Sequence, residues 1–281
     1  MSDPFRHFII TRFNLRTDVF STTREGGHTL TDPWYSHRFE LFQDICCRSV
    51  MNQKNKSFQW LVCFDTTTPE KWLPVVKKIE MDIPMFRTIF CDGWNDQVNV
   101  VRSFIADTLD ASTTHIITTL LDNDDAISDS FTEEIGNAFK NPREKTIVDC
   151  INGYMFEIEP RKVLRKATNI RYGSFLSIIE PSSDYVTILS GRLYDWRDRK
   201  LSEIVIKDKY LWLQVVHANN VSNRMHRDGF LQSSRRLRSF HFDNAVLHDF
   251  PGIVERIVDA LVYLYEKTQG IILRKLRCRA G

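Results

Sequence analysis

The sequence predicts an α/β fold with a mostly parallel central sheet and crossover helices, followed by more mixed strands in the C-terminal half. Three observations carry this. Apolar, β-branched runs alternate with helix-period segments through the first 125 residues, the pattern of strand–helix–strand units. Three of those runs end in a polar residue, Asn14, Asp65 or Asp122, and ligands in such sheets bind beyond the carboxyl ends of the strands. Beyond Ser130 strand-like runs follow one another with few helices between them.

The elements follow in order. Phe8 to Asn14 reads as a first strand and the polar, glycine-containing segment from Leu15 to Pro33 as a long loop, a length that compact domains usually reserve for function. From Tyr35 to Met51 the apolar residues Phe39, Phe42, Cys46 and Val50 recur at helical spacing. Phe58 to Phe64 is a second strand, ending in Asp65, and Thr68-Pro69 opens a helix with threonine as cap. A strand over Phe86 to Phe90 and a helix from Asn95 to Leu109 lead to the strand Ile116 to Leu121. Ser130 with Glu133 forms a capping-box pattern for the next helix. Thr146 to Ile158, Tyr172 to Glu180 and Tyr185 to Leu189 read as strands. Gly252 to Glu266 reads as an amphipathic helix closing the core with Ile253, Ile257, Leu261 and Leu264. With no linker-like or repetitive tract, the 281 residues read as one domain: a first half (1–125) of the α/β nucleotide-binding pattern, a second, substrate-binding half (126–250), and a C-terminal helix with basic tail (251–281).

Composition narrows the classes. Apolar residues at 42% argue against disorder, and a formal charge of +2 provides no global field for nucleic acid. The basic residues gather locally, in a stretch comprising Arg224, His226, Arg227, Arg235, Arg236 and Arg238 and a tail comprising Arg274, Lys275, Arg277 and Arg279. The six cysteines lack paired zinc spacing and read as reduced core thiols. No run approaches the roughly 18 apolar residues of a membrane span, and the N-terminus lacks the apolar region of a secretory signal. The expectation is a cytoplasmic protein, with peripheral contact at the inner membrane face through the basic tail.

Asp122-Asn123-Asp124-Asp125 is the most informative segment. Side chains two apart point the same way at a strand end, so Asp122 and Asp124 can share a cation. A hard divalent ion such as Mg2+ or Mn2+, held by one or two carboxylates, keeps positions open for substrate phosphates. The competing reading is a solvated loop preparing a helix. A calcium EF-hand is excluded because its sixth position requires glycine and Ile127 stands there.

Other candidates are weaker alone. His217 follows the apolar run Tyr210 to Val216 and could complete a metal shell, with Asn219 or Asn220 orienting it; a lone histidine there is more often a core or turn residue. Arg38 and the arginines from Arg224 to Arg238 could bind a diphosphate through forked contacts, against the reading of a solvated basic surface. Glu180 ends an apolar run before Pro181 and is the first candidate for general base, because an apolar pocket raises a carboxyl's pKa; Asp208 and Asp195 are alternatives. No Walker loop, GxGxxG, GxSxG or HExxH occurs.

In their order these residues resemble family-A (GT-A-like) nucleotide-sugar glycosyltransferases, and more closely a bacterial family described as putative rhamnosyltransferases. The matching residues are Arg12-Phe13-Asn14; Trp34, Arg38, Leu41, Phe42 and Cys46; Ser49-Val50 and Gln53; Phe58, Trp60 and Leu61; Asp65 with Thr68-Pro69; Leu121 through Ala126; Ser174-Phe175-Leu176-Ser177 through Glu180; and Trp212 through His217 with Asn219 or Asn220. The resemblance covers roughly residues 7 to 225. It implies that Asn14 and Asp65 contact the nucleotide, Asp122 and Asp124 (with Asn123 between them) the metal and diphosphate, and His217 the metal. Where the family has an arginine before the Leu-Asp-Asn-Asp-Asp segment, this chain has Leu120.

The implied reaction moves a sugar, rhamnose by the family's description, from a nucleotide-diphosphate donor to a hydroxyl of a saccharide or lipid-linked saccharide acceptor. An inverting reaction would need a base such as Glu180; a retaining one would not. Two rival readings use the same residues differently: a metal-dependent nucleotidyl- or phosphotransferase, and a non-catalytic saccharide- or membrane-binding protein using six tryptophans and the basic tail.

Overall fold

The computed structural model describes residues 4–18, 21–22, 26–158, 162–191, 193–217, 220, 231–242 and 251–265. Arg224, His226, Arg227, Asn219, Cys278 and the basic tail lie outside the described residues.

Three strand–helix units and a fourth strand build the first half. β1 (Phe5–Arg12) leads into a long helix made of α1 (Asp32–Leu41), a π-helical stretch (Phe42–Cys47) and α2 (Arg48–Met51). β2 (Gln59–Asp65) leads to α3 (Leu73–Asp82), β3 (Phe86–Cys91) to α4 (Gln97–Thr108), and β4 (His115–Leu120) to the acidic loop. The chain continues through β5 (Ala126–Ile127), α5 (Phe131–Ala138), β6 (Thr146–Cys150), β7 (Gly153–Glu157), β8 (Val163–Ala167), β9 (Ser177–Pro181), α6 (Leu193–Asp198), β10 (Ser202–Ile206) and β11 (Trp212–Val216). A last helix, α7, spans 253–265.

Seven strands form the main sheet in the order β10-β6-β9-β4-β1-β2-β3; all run parallel except β9, which is antiparallel to both its neighbours. A smaller sheet, β5-β11-β7-β8, stands beside it. From β1 the chain adds β2 and β3 on one side and then β4 on the other. The reversal between β1 and β4 is a topological switch point, where open α/β sheets present a crevice at the carboxyl ends of their strands.

Period-two alternation explains the layers. Phe8 and Ile10 of β1, with Leu61 and Cys63 of β2, pack against Val101 and Ile105 of α4 on one face. Ile9, Trp60, Val62 and Phe64 point the other way, toward Phe39 and Phe42 of the long helix, and the same core takes in Met155 and Trp212 of the smaller sheet.

Several expectations are corrected. Thr146 to Ile158 is two strands in different sheets, because the chain leaves the main sheet at Ile151-Asn152. There Asn152 Nδ2 donates to the Lys207 carbonyl and its Oδ1 accepts from the Asn169 N–H, joining three segments at the change of sheet. Only Ser177 onward of the Tyr172–Glu180 run is strand, Tyr172 having a left-handed φ of 53°. Tyr185 to Leu189 contains no strand and ends in a 3-10 turn, Ile188–Ser190. Thr68 does not cap a helix: its hydroxyl donates to the Asp65 carbonyl (2.6 Å), and α3 starts only at Leu73. Ser130 makes no side-chain cap on α5. The apolar stripe of α7 does not close the core; Ile253, Ile257, Leu261 and Leu264 are between 51% and 67% exposed.

Candidate active site

At the switch point the ends of β1 and β4 meet the segment just after β11, which supplies His217 and Asn220. Asn123 fastens the first two: its Nδ2 donates to the carbonyls of Arg12 (2.8 Å) and Phe13 (2.9 Å), and its Oδ1 accepts from Arg38 Nη1 (2.9 Å). The same Arg38 nitrogen donates to Asp124 Oδ2 at 2.7 Å, and both side chains are buried. Asp124 Oδ2 also accepts from Asn220 Nδ2 (3.1 Å) and lies 3.0 Å from His217 Nε2. Asn220 Oδ1 in turn accepts the His217 backbone N–H, so three side chains, Arg38, His217 and Asn220, surround one carboxylate oxygen.

Asp122 stands at the rim, its side chain 33% exposed and 3.7 Å from the Arg12 guanidinium, which lies 4.4 Å over the Trp94 ring. Asp125 turns inward. Its Oδ1 accepts the Val215 N–H (2.8 Å), tying the acidic loop to β11, while its Oδ2 is buried with no partner among the described residues.

These environments separate the three acids. Burial alone would raise Asp124, but Arg38 and the His217 contact hold its carboxyl well below the usual carboxylate range. Burial pushes Asp122 up, with Arg12 opposing and the Asp124 charge reinforcing. Asp125 is driven far up by burial and by the charges of Asp124 and Asp122. Two arginines thus bring positive charge to the loop although Leu120 lies in the apolar core.

The other predicted residues divide. Asn14 and Asp65 reach the same sheet edge, at β1 and β2, but their side chains are engaged. Asn14 Nδ2 donates to Tyr35 Oη (2.8 Å) and Thr68 Oγ1 (2.9 Å), and its Oδ1 accepts from the Asp65 N–H. Asp65 accepts from Arg16 N and Nε and from Thr67, which lowers its pKa against the rise that burial would cause. Arg38, expected to grip a diphosphate, instead anchors Asp124 and Asn123 from inside.

Glu180 is not in the crevice. β9 runs antiparallel to β4, and Glu180 pairs with Ile116, six residues before Asp122, so it sits about 20 Å along the strand from the acidic loop. It is fully buried, accepts the N–H groups of Val186 and Thr187 (both 2.9 Å), and lies 3.6 Å from Lys145 Nζ. Its pKa is raised by burial, as expected, but at the wrong edge of the sheet. Asp208 lies beyond the carboxyl end of β10, exposed and three strands from β4, roughly 14 Å across the sheet. Asp195 is exposed on α6. Neither joins the cluster. Arg12 and Asp125 are residues that sequence reading left without a role; the period-two relation of Arg12 to Asn14 at the end of β1 is the signal that could have marked the first.

A cleft of about 900 Å3 lies at the opposite, amino edge, lined by Phe5, His7, Phe58, Met85 and Arg87 among others. It shares no residue with the acidic cluster, and its Asp110 is paired with Arg6.

Asp124 and His217 are the pair that could hold a metal. Neighbouring ligands on an octahedral ion with bonds of about 2.1 Å stand about 3 Å apart, the separation of Asp124 Oδ2 from His217 Nε2. His217 Nδ1 is a buried atom with no partner among the described residues. No group of three or more His, Cys, Asp or Glu side chains is gathered to hold an ion among the described residues. The pair therefore suits an ion that takes its other ligands from phosphate oxygens and water, a common arrangement for magnesium-type ions.

The profile of a family described as putative rhamnosyl transferase matches residues 7–228. No curated protein matches the sequence. Among solved structures the chain is similar to S. aureus TarS 1–349, with a TM-score of 0.39 and 9% identity over 75% of this chain and 60% of that one. The same TarS fragment in complex with UDP-GlcNAc gives a TM-score of 0.42 and 9% identity, over 79% and 62%. A putative nucleotide-diphospho-sugar transferase from Desulfovibrio desulfuricans G20 gives 0.39 and 9%, over 78% and 84%. This chain thus spans less than two thirds of the TarS fragment.

Proposed function

The chain belongs to the putative rhamnosyl transferase family, and from that premise we propose that it is a glycosyltransferase. It moves a hexose, rhamnose by the family's description, from a nucleotide-diphosphate donor to a hydroxyl of a saccharide or lipid-linked saccharide acceptor. The observation that carries this is the cluster of Asp122, Asp124, His217 and Arg38 at the β1/β4 switch point, joined by Asn123 to the end of β1.

A divalent cation, Mn2+ or Mg2+, would be held by Asp124 and His217 with Asp122 at the rim, and supplies positive charge that offsets the negative charge growing on the departing diphosphate. The protein's own part is preorganisation. Arg38 and Asn220 fix Asp124 in orientation, and Asp125 keeps the loop against β11 through the Val215 N–H. Arg12, held over Trp94, places a cation at the open rim where a phosphate would enter. Glu180 and Asp208 are not carried forward as the base, which leaves the stereochemical course without a residue assigned to it.

The test is thermal stabilisation of the wild type, Asp122→Asn and Asp124→Ala by a panel of nucleoside diphosphates, with and without manganese, followed by product analysis with the matching nucleotide sugar. Asp122 is partly exposed, so its variant folds even if Asp124→Ala does not. A manganese-dependent rise in midpoint that the variants lose, with release of nucleoside diphosphate, supports the reading. Release of pyrophosphate would move it to a nucleotidyltransferase, and no shift with any nucleotide to a non-catalytic binder.

A further inference from the structure

We propose that α7 lies in the interface of an anionic lipid bilayer, with its apolar half inserted among the lipids. This inference is independent of the sugar-transfer reading. At 3.6 residues per turn, Ile253, Val254, Ile257, Val258, Leu261, Val262, Leu264 and Tyr265 cover about half the helix circumference, and each is between 50% and 69% exposed. The remaining arc carries Arg256, Asp259, Ala260 and Tyr263, which are less exposed, and Glu255, which is exposed. Asp259 pins that arc to the body: it accepts from both terminal nitrogens of Arg165 on β8 (3.1 and 2.6 Å) and from the Leu231 N–H (3.1 Å). The helix is therefore inverted relative to an ordinary surface helix, with its polar side turned to the protein and its apolar side away from it. A contiguous apolar surface of this kind marks an interaction site rather than a scatter of exposed side chains.

Charge decides what covers it. Leu231, which contacts Asp259, is followed within a few residues by the 3-10 turn Ser234–Phe240, on which Arg235, Arg236 and Arg238 are exposed. Downstream of α7 the sequence interleaves Lys267, Arg274, Lys275, Arg277 and Arg279 with Ile271, Ile272, Leu273 and Leu276. An apolar half-cylinder within a base-rich part of the sequence has the composition of an interfacial helix, in which the apolar face enters the acyl boundary and bases meet anionic headgroups. A second copy of the chain suits it less well, because a two-fold contact would bring two copies of the same base-rich segment together. None of the described helices is long and apolar enough to cross a membrane.

The test is flotation of the full chain with phosphatidylcholine vesicles and with vesicles in which phosphatidylglycerol replaces part of that lipid, alongside sedimentation of the protein alone. The expected result is partition onto the anionic vesicles only, weakened by salt and reduced at least roughly tenfold by Ile257→Glu with Leu261→Glu. These side chains are exposed, so an unchanged thermal midpoint verifies that the variant is folded. Equal partition of variant and wild type, or no partition of wild type onto anionic vesicles, would overturn the proposal. So would a wild-type dimer that the same substitutions convert to monomer, which would assign the face to a second copy.

Discussion

Arg38 and Asp124 form a buried ion pair at 2.7 Å, and the nitrogen that makes it also donates to Asn123 Oδ1. Removing one partner leaves a charge buried without compensation, a loss of about 3–5 kcal/mol. Arg38→Met should lower stability by that amount in urea titration, and Asp124→Asn in the same chain should recover part of it. A double-mutant cycle with no coupling energy would show that the two side chains do not act as a pair.

Glu180 should prove structural. Glu180→Gln sets an amide N–H against one of the two backbone donors of Val186 and Thr187, at a cost of about 1–3 kcal/mol. The nucleotide-dependent rise in thermal midpoint should be unchanged. A variant of normal stability that has lost transfer would return Glu180 to the list of bases.

Asp125 makes stability fall with rising pH. Its folded pKa lies well above the ordinary carboxylate value of about 3.9, so its contribution is fully present below that pH and declines as the pH rises toward the folded pKa. Asp125→Asn keeps an oxygen for the Val215 N–H and cannot ionise. Unfolding free energy measured across this range should decline less steeply in the variant than in the wild type.

Gly153 faces Trp212 across the β7–β11 register, and a Cβ there would stand 2.1 Å from the indole Cδ2. The indole is stacked on Phe175 at 5.0 Å and bonded through Nε1 to the Cys150 carbonyl, so it has little room to yield. Gly153→Ala should destabilise the chain by about 3 kcal/mol or more, at or beyond the usual overpacking range, and Gly153→Ala with Trp212→Leu should recover part of the loss.

Much of the site was legible in the sequence because it rests on strand ends. Asn14, Asp65 and Asp122 each close an apolar run, and parallel strands bring such ends to one edge whatever happens elsewhere in the chain. Glu180 also closes an apolar run, yet β9 points the other way, and nothing in Ser177-Ile178-Ile179-Glu180 distinguishes an antiparallel insertion from a parallel strand. The pairing of Arg38 has no local signature, because its counter-charge stands 86 residues away. The periodicity of α7 was read correctly as amphipathic; its facing was not, since Asp259 pins it through Arg165, 94 residues earlier.

The ring around Asp124 also bears on how the chain is made. It joins Arg38, Asn123 and Asp124 to His217 and Asn220, 93 and 96 residues further on. A polypeptide emerging from the ribosome can complete the strand–helix units of its first half while that ring is still open, and contacts of such separation form late. A product that stops before β11 would have the acidic loop but neither the Val215 N–H that holds Asp125 nor the imidazole beside Asp124. Competence to hold a nucleotide would then report that synthesis has reached the last strand, so that incomplete chains would neither bind nor waste an activated sugar.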